Sequence, residues 1–169
     1  RYLEVDSIEP GRGYWVKVNN TGKVVLVGQA IMKNEMVKRD SLQNFSQLII
    51  QDNNGSKQTL YFTKLSAGNP LTQNLSYHEM PPAPPEVRFN ARFGSNRILE
   101  IIKERETQEY PILISAIDYP VTISWKIKSR QIYASLQIGD KNITMGEDGS
   151  TQIMAPDMNV KLYLTGLRE

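Results

Sequence analysis

Residues 47–63 read Gln47-Leu48-Ile49-Ile50-Gln51-Asp52-Asn53-Asn54-Gly55-Ser56-Lys57-Gln58-Thr59-Leu60-Tyr61-Phe62-Thr63. Two short runs rich in β-branched and aromatic residues flank a polar stretch in which Asn54-Gly55 tolerates the positive φ angles of a tight turn. The segment predicts a β-hairpin. It is the clearest local signal in the chain, and its period-two alternation recurs from end to end, whereas stretches of ten or more residues with helical spacing are scarce.

Toward the C-terminus, Met80-Pro81-Pro82-Ala83-Pro84-Pro85 places four prolines within five positions, which forbids a central strand and predicts a stiff connector at 80–85. Val87, Phe89, Ala91 and Phe93 then alternate with Arg88, Asn90 and Arg92, as in a half-buried strand with an apolar and a polar face. Further strands are expected at Ile98–Ile102, Pro111–Ser115, Val121–Ile127, Ile132–Ile138, Asn142–Met145, Thr151–Met154 and Val160–Leu164. The acidic stretch Glu104–Glu109 reads as a loop, and Gly146-Glu147-Asp148-Gly149 as a turn. Strands at this spacing predict an all-β fold, an antiparallel β-sandwich of immunoglobulin-like or jelly-roll-like type. No internal repeat of fixed period stands out.

Toward the N-terminus, Tyr14-Trp15-Val16-Lys17-Val18 and Val24-Val25-Leu26-Val27 flank Asn19-Asn20-Thr21-Gly22 and predict another hairpin. Residues 30–43 fit either one or two helical turns or a crossover loop. The expected organisation is an N-terminal hairpin segment at 1–44, the remnant of a preceding domain, and a sandwich at 45–169.

Composition narrows the function classes. The 169 residues are long enough to bury a core without staples, and 40% hydrophobic with 22% charged residues is a globular balance. Twenty basic residues oppose eighteen acidic ones, so the net charge of +2 offers little attraction for nucleic acid. Lys126, Lys128 and Arg130 alternate along one face and read as a solvated surface. With no cysteine, disulfides and thiolate chemistry are excluded. No apolar run approaches the roughly 20 residues of a membrane-spanning helix. The chain opens at Arg1 without Met or a leader-like segment, and reads as a fragment of a longer polypeptide.

The residues that could carry chemistry are few. His78 is the one histidine and reads as a surface residue without a role. No Gly-x-Ser-x-Gly elbow, Walker loop or dinucleotide fingerprint occurs, and no cofactor is expected. Paired carboxylates could serve glycoside hydrolysis; the clusters are Glu104, Glu106 and Glu109, and Asp140, Glu147 and Asp148, all in expected loops where solvation is the default. Asp52-Asn53-Asn54-Gly55 lacks the alternate ligands and distal Glu of a calcium loop. Among the aromatics, alternation puts Trp125 in the core and places Tyr14, Val16 and Val18 inward, leaving Trp15 outward as the residue available for stacking on a ligand.

Several segments together resemble a module of multidomain surface proteins that Gram-negative bacteria export by the type IX secretion route. They are Ile8-Glu9-Pro10-Gly11-Arg12-Gly13-Tyr14-Trp15-Val16-Lys17, Leu48–Phe62, Glu79–Pro85, Val87–Phe93, Tyr110–Ile114 and Thr122–Trp125. Their order is similar to the region that precedes the C-terminal sorting domain of such proteins. The resemblance implies a β-sandwich at the cell surface or outside the cell, with a structural or adhesive part in a larger polypeptide and no catalytic residues.

The chain is therefore expected to be a non-catalytic structural or interaction module whose partners are neighbouring domains or other surface proteins. A carbohydrate-binding sandwich using Trp15 is the alternative, and a small hydrolase with paired acids the third reading. Unpaired edges near Tyr2–Val5 or Leu162–Leu164 are expected to template association with a second copy.

Overall fold

Alternating side chains build a sheet with one apolar face, and such a face is stable only when a second one covers it. Among the described residues, ten strands in two sheets solve this. The computed structural model describes residues 8, 13–16, 18, 20–23, 42–65, 72, 75–83, 88–102, 106–115, 118–156 and 159–167. It divides into two compact units, Arg1–Arg39 and Asp40–Glu169.

The second unit holds β1 (Ser46–Gln51), β2 (Lys57–Lys64), β3 (Asn90–Phe93), β4 (Leu99–Ile102), β5 (Thr107–Ser115), β6 (Val121–Lys126), β7 (Ile132–Ile138), β8 (Lys141–Met145), β9 (Asp148–Ile153) and β10 (Val160–Gly166). Short 3-10 turns form at Leu42–Asn44 and Leu75–His78. One sheet has the order β4-β2-β1-β6-β9 and the other β3-β5-β10-β7-β8. The all-β sandwich is thus present. Its pairs are antiparallel except β2 with β4, which is parallel, because the chain crosses to the second sheet as β3 before returning.

The core is where the two inner faces meet. Leu48, Ile50, Leu60, Phe62, Val121, Ile123 and Trp125 from one sheet join Phe93, Ile112, Leu136, Leu162 and Leu164 from the other in one buried cluster. At β1 and β2, Leu48 sits opposite Leu60 and Gln51 opposite Lys57, so the hairpin closes through 52–56. Gly55 adopts φ +85° there, the left-handed conformation that the Asn-Gly pair allows at low cost.

Four boundaries differ from the sequence reading. The expected strand from Val87 begins only at Asn90. The expected acidic loop is shorter, since β5 already includes Gln108 and Glu109, paired with Leu164 and Tyr163 of β10. The expected turn ends early, since β9 starts at Asp148 and sets Gly149 opposite Trp125. Finally, Leu162–Leu164 is no edge, because β10 lies between β5 and β7. The central strand carries the most apolar alternation because its inner face is buried along its whole length. Tyr2–Val5 lies outside the described residues.

In the first unit, residues 13–16 and 18 are irregular and Asn20-Thr21 forms a bend. Val24–Val27, the returning arm of the expected hairpin, lies outside the described residues, as do 30–41 of the stretch read as helical turns or crossover. Trp15 is 67% exposed, but so are Val16 and Val18 in large part, so the expected inward face of Val16 and Val18 is not formed. Alternation sorts side chains only where a segment joins a ladder.

Candidate functional site

The sandwich is stitched at two corners where the chain steps from one sheet to the other between edge strands. One step is β3 to β4, through Gly94–Ile98; the other is β8 to β9, through Gly146 and Glu147. The charged residues that sequence patterning left unexplained gather at these corners.

At the first corner Arg92 is only 5% exposed, although alternation placed it on a polar outer face. The reason is tertiary: the segment entering the Pro-rich connector lies over it. Arg92 Nη1 donates to Pro81 O at 2.8 Å and to Asn96 Oδ1 at 2.5 Å, and its Nε donates to Asn90 Oδ1 at 2.7 Å. Met80 N–H donates to Asn96 O at 2.8 Å, Asn96 Nδ2 donates to Met80 O at 3.1 Å, and Ile98 N–H donates to His78 O at 2.8 Å. Residues 78–81 are thereby pinned to the β3–β4 turn. Asn96 holds φ +63°, which its short amide tolerates. His78, expected at the surface, is 6% exposed within this latch.

Glu100 was missed by the sequence reading. It is 3% exposed, accepts a hydrogen bond from Ser95 Oγ, and lies 3.4 Å from Arg97 Nη2. Its signal was an acid inside the apolar run Ile98–Ile102, where strand periodicity alone offers no partner. Beside it, the Tyr110 hydroxyl donates to Ile101 O at 3.1 Å, and burial together with the Glu100 charge pushes its pKa up to about 12.

Glu100 and Glu109 line one small cleft, of about 130 Å³. Glu109 is held by Lys161 Nζ at 2.9 Å and by the Tyr163 hydroxyl at 2.9 Å, which lower its pKa from the ordinary carboxylate value. A carboxylate kept ionised in this way is the opposite of the raised-pKa acid that protonates a leaving group. Of the other expected acids, Glu106, Asp140, Glu147 and Asp148 are exposed, and Glu104 lies outside the described residues. Among the described residues no three His, Asp or Glu side chains gather to hold a metal. Asp52 is buried, and its Oδ1 accepts the Ser56 N–H at 2.7 Å, so it serves the hairpin turn.

At the second corner an open cleft of about 350 Å³ lies between the β6–β7 loop and the β8–β9 turn. Ile127, Ile132 and Met145 form its apolar floor, and Lys128, Arg130 and Glu147 its charged rim. Lys126 faces Asp148 across the β6–β9 ladder instead. All three cations of the expected solvated row, Lys126, Lys128 and Arg130, are exposed, although β6 itself ends at Lys126.

The outer face of the second sheet carries an exposed Tyr133, together with Tyr163, whose hydroxyl also lies 2.9 Å from Gln137 Oε1. Trp15 belongs to the other unit. Among the described residues no helix is long and apolar enough to cross a membrane. No family model, curated protein or solved structure matches the chain.

Proposed function

We propose that the chain is a non-catalytic structural or interaction module of a larger secreted or cell-surface bacterial protein. One observation carries the reading: the charged groups inside the sandwich bind their own turns. Asp52 holds the β1–β2 turn, Glu100 holds Ser95 and Arg97, and Arg92 holds Asn90, Asn96 and Pro81. Buried charge used in this way rigidifies a scaffold rather than poising a reactive group. The sequence resemblance to modules exported by the type IX route supports the surface setting, with neighbouring domains as partners.

A carbohydrate-binding role is the second reading, favoured by the exposure of Trp15 and of Tyr133 on an outer sheet face. A membrane-impermeant amine label applied to intact cells producing the full-length gene product separates the surface setting from others. Labelling of lysines within 40–169 is expected. Labelling only after lysis would overturn the proposal, as would turnover of a glycoside by the isolated chain. Binding on a glycan array that Trp15→Ala abolishes would favour the second reading.

A further inference from the structure

We infer that the cleft at the β8–β9 corner is a binding site for a carboxylate carried on a small apolar stem. Its volume, about 350 Å³, falls at the low end of the roughly 300–1,000 Å³ typical of ligand pockets. The walls are preformed. Ile127 N–H donates to Glu147 O at 2.6 Å, Lys128 N–H to Ser46 Oγ at 3.0 Å, and Gln131 O accepts from Leu167 N–H at 2.7 Å. The loop is thus tied to β1, to the β8–β9 turn and to the end of β10, and a site that needs no ordering on binding keeps more of its interaction energy.

The chemistry of the lining selects the ligand. Ile132 and Met145 are buried and Ile127 half-buried, so the floor is apolar and favours a hydrocarbon stem. Lys128 and Arg130 at the rim supply two cations against the one carboxylate of Glu147, so an anionic head is preferred. The Lys128 ammonium also donates to Gln43 O. A bare phosphate lacks the hydrocarbon stem that the floor of Ile127, Ile132 and Met145 favours. The N–H groups of Ile127, Lys128, Gln131 and Ile132 are engaged within the protein, so they cannot form the backbone nest that such an ion prefers. This site would be the contact point of the interaction module proposed above, but binding is read independently of where the protein resides.

The test is amide chemical-shift titration of the ¹⁵N-labelled full chain with isovalerate, isovaleramide, inorganic phosphate and N-acetyl-alanyl-leucine. Isovalerate is expected to shift Ile127–Ile132 and Met145–Glu147 and to saturate. Isovaleramide and phosphate should bind at least about tenfold more weakly. The Lys128→Gln/Arg130→Gln variant should lose at least about tenfold, and Glu147→Gln should bind isovalerate a few-fold more tightly. Both substitutions are at exposed positions, and an otherwise unchanged amide spectrum verifies the fold. If the peptide binds about tenfold more tightly than isovalerate, the natural source is a polypeptide C-terminus; equal binding assigns a free acid. Equal binding of acid and amide, an undiminished response in the double variant, or shifts scattered over other lysines would overturn the inference.

Discussion

The two corners of the sandwich do the same topological job by different means. At β3–β4 the step is sealed by polar bonds converging on Arg92 and Asn96. At β8–β9 it is closed by shape: a Cβ on Gly149 would lie 2.5 Å from Trp125 Cζ2, so the indole rests where only glycine leaves room. Each leaves one buried donor without a partner, Arg92 Nη2 and Trp125 Nε1 among the described residues. The comparison teaches that a directional network can pin the segment that leads into a connector. Steric fit closes only the ladder and leaves the neighbouring loops parted as a cleft.

The largest effect is expected at the sealed corner. Arg92→Ala removes a cation whose partners are all neutral and strands the Pro81, Asn90 and Asn96 acceptors, at a cost of about 3 kcal/mol in urea unfolding. Arg92→Met, which keeps an apolar stem and removes the orphan donor, should cost clearly less. An Arg92→Ala cost below about 1 kcal/mol would mean that the network does not hold the connector.

The open corner should respond to volume instead. Gly149→Ala is expected to destabilise by about 2 kcal/mol through overpacking against Trp125. Adding Trp125→Phe should recover part of that loss, and strict additivity in the double-mutant cycle would deny the contact. Back at the first corner, Asn96→Ala should cost about 1 kcal/mol more than Asn96→Gly. Both lose the amide bonds, but only alanine is strained at φ +63°.

Electrostatic readouts sharpen the contrast with smaller effects. Tyr110, beside Glu100, is held neutral. Its contribution to stability is present below the ordinary value of 10.0 and is lost as pH rises through about 12. Ultraviolet titration should show a tyrosine ionising at about 12, which Glu100→Gln brings earlier. On the exposed outer face the Glu109 carboxyl is lowered by Lys161 and Tyr163. That contribution is present above the ordinary carboxylate value and lost as pH falls through the depressed one. Lys161→Met should return the Glu109 titration, followed by NMR, toward 4.5 with scarcely any change in unfolding free energy.

Much of the fold was legible because burial in a sandwich obeys a period of two. Leu48 and Ile50, Leu60 and Phe62, and Val121, Ile123 and Trp125 all point inward as alternation requires. The site was less legible. Lys128, Arg130 and Glu147 were visible as charges, yet nothing local says that they rim one cleft, since Met145–Glu147 and Ile127–Ile132 meet only through a sheet crossing. Arg92 and Glu100 read as an ordinary outward cation and a strand acid because strand alternation does not register a turn folding back onto its own strands: Asn96 lies four residues after Arg92, and Ser95 and Arg97 lie five and three before Glu100.

The sequence by itself determined the strands, the Asn54-Gly55 turn and the apolar inner faces, because each depends on neighbours within a few residues. Only the tertiary structure decided which strands are edges, that β2 and β4 run parallel, that Arg92 and His78 are buried, and that a cleft opens beside β8 and β9. Those outcomes depend on the order in which the chain crosses between sheets, and pairwise hydrogen bonding between remote segments leaves no periodic trace in a single sequence.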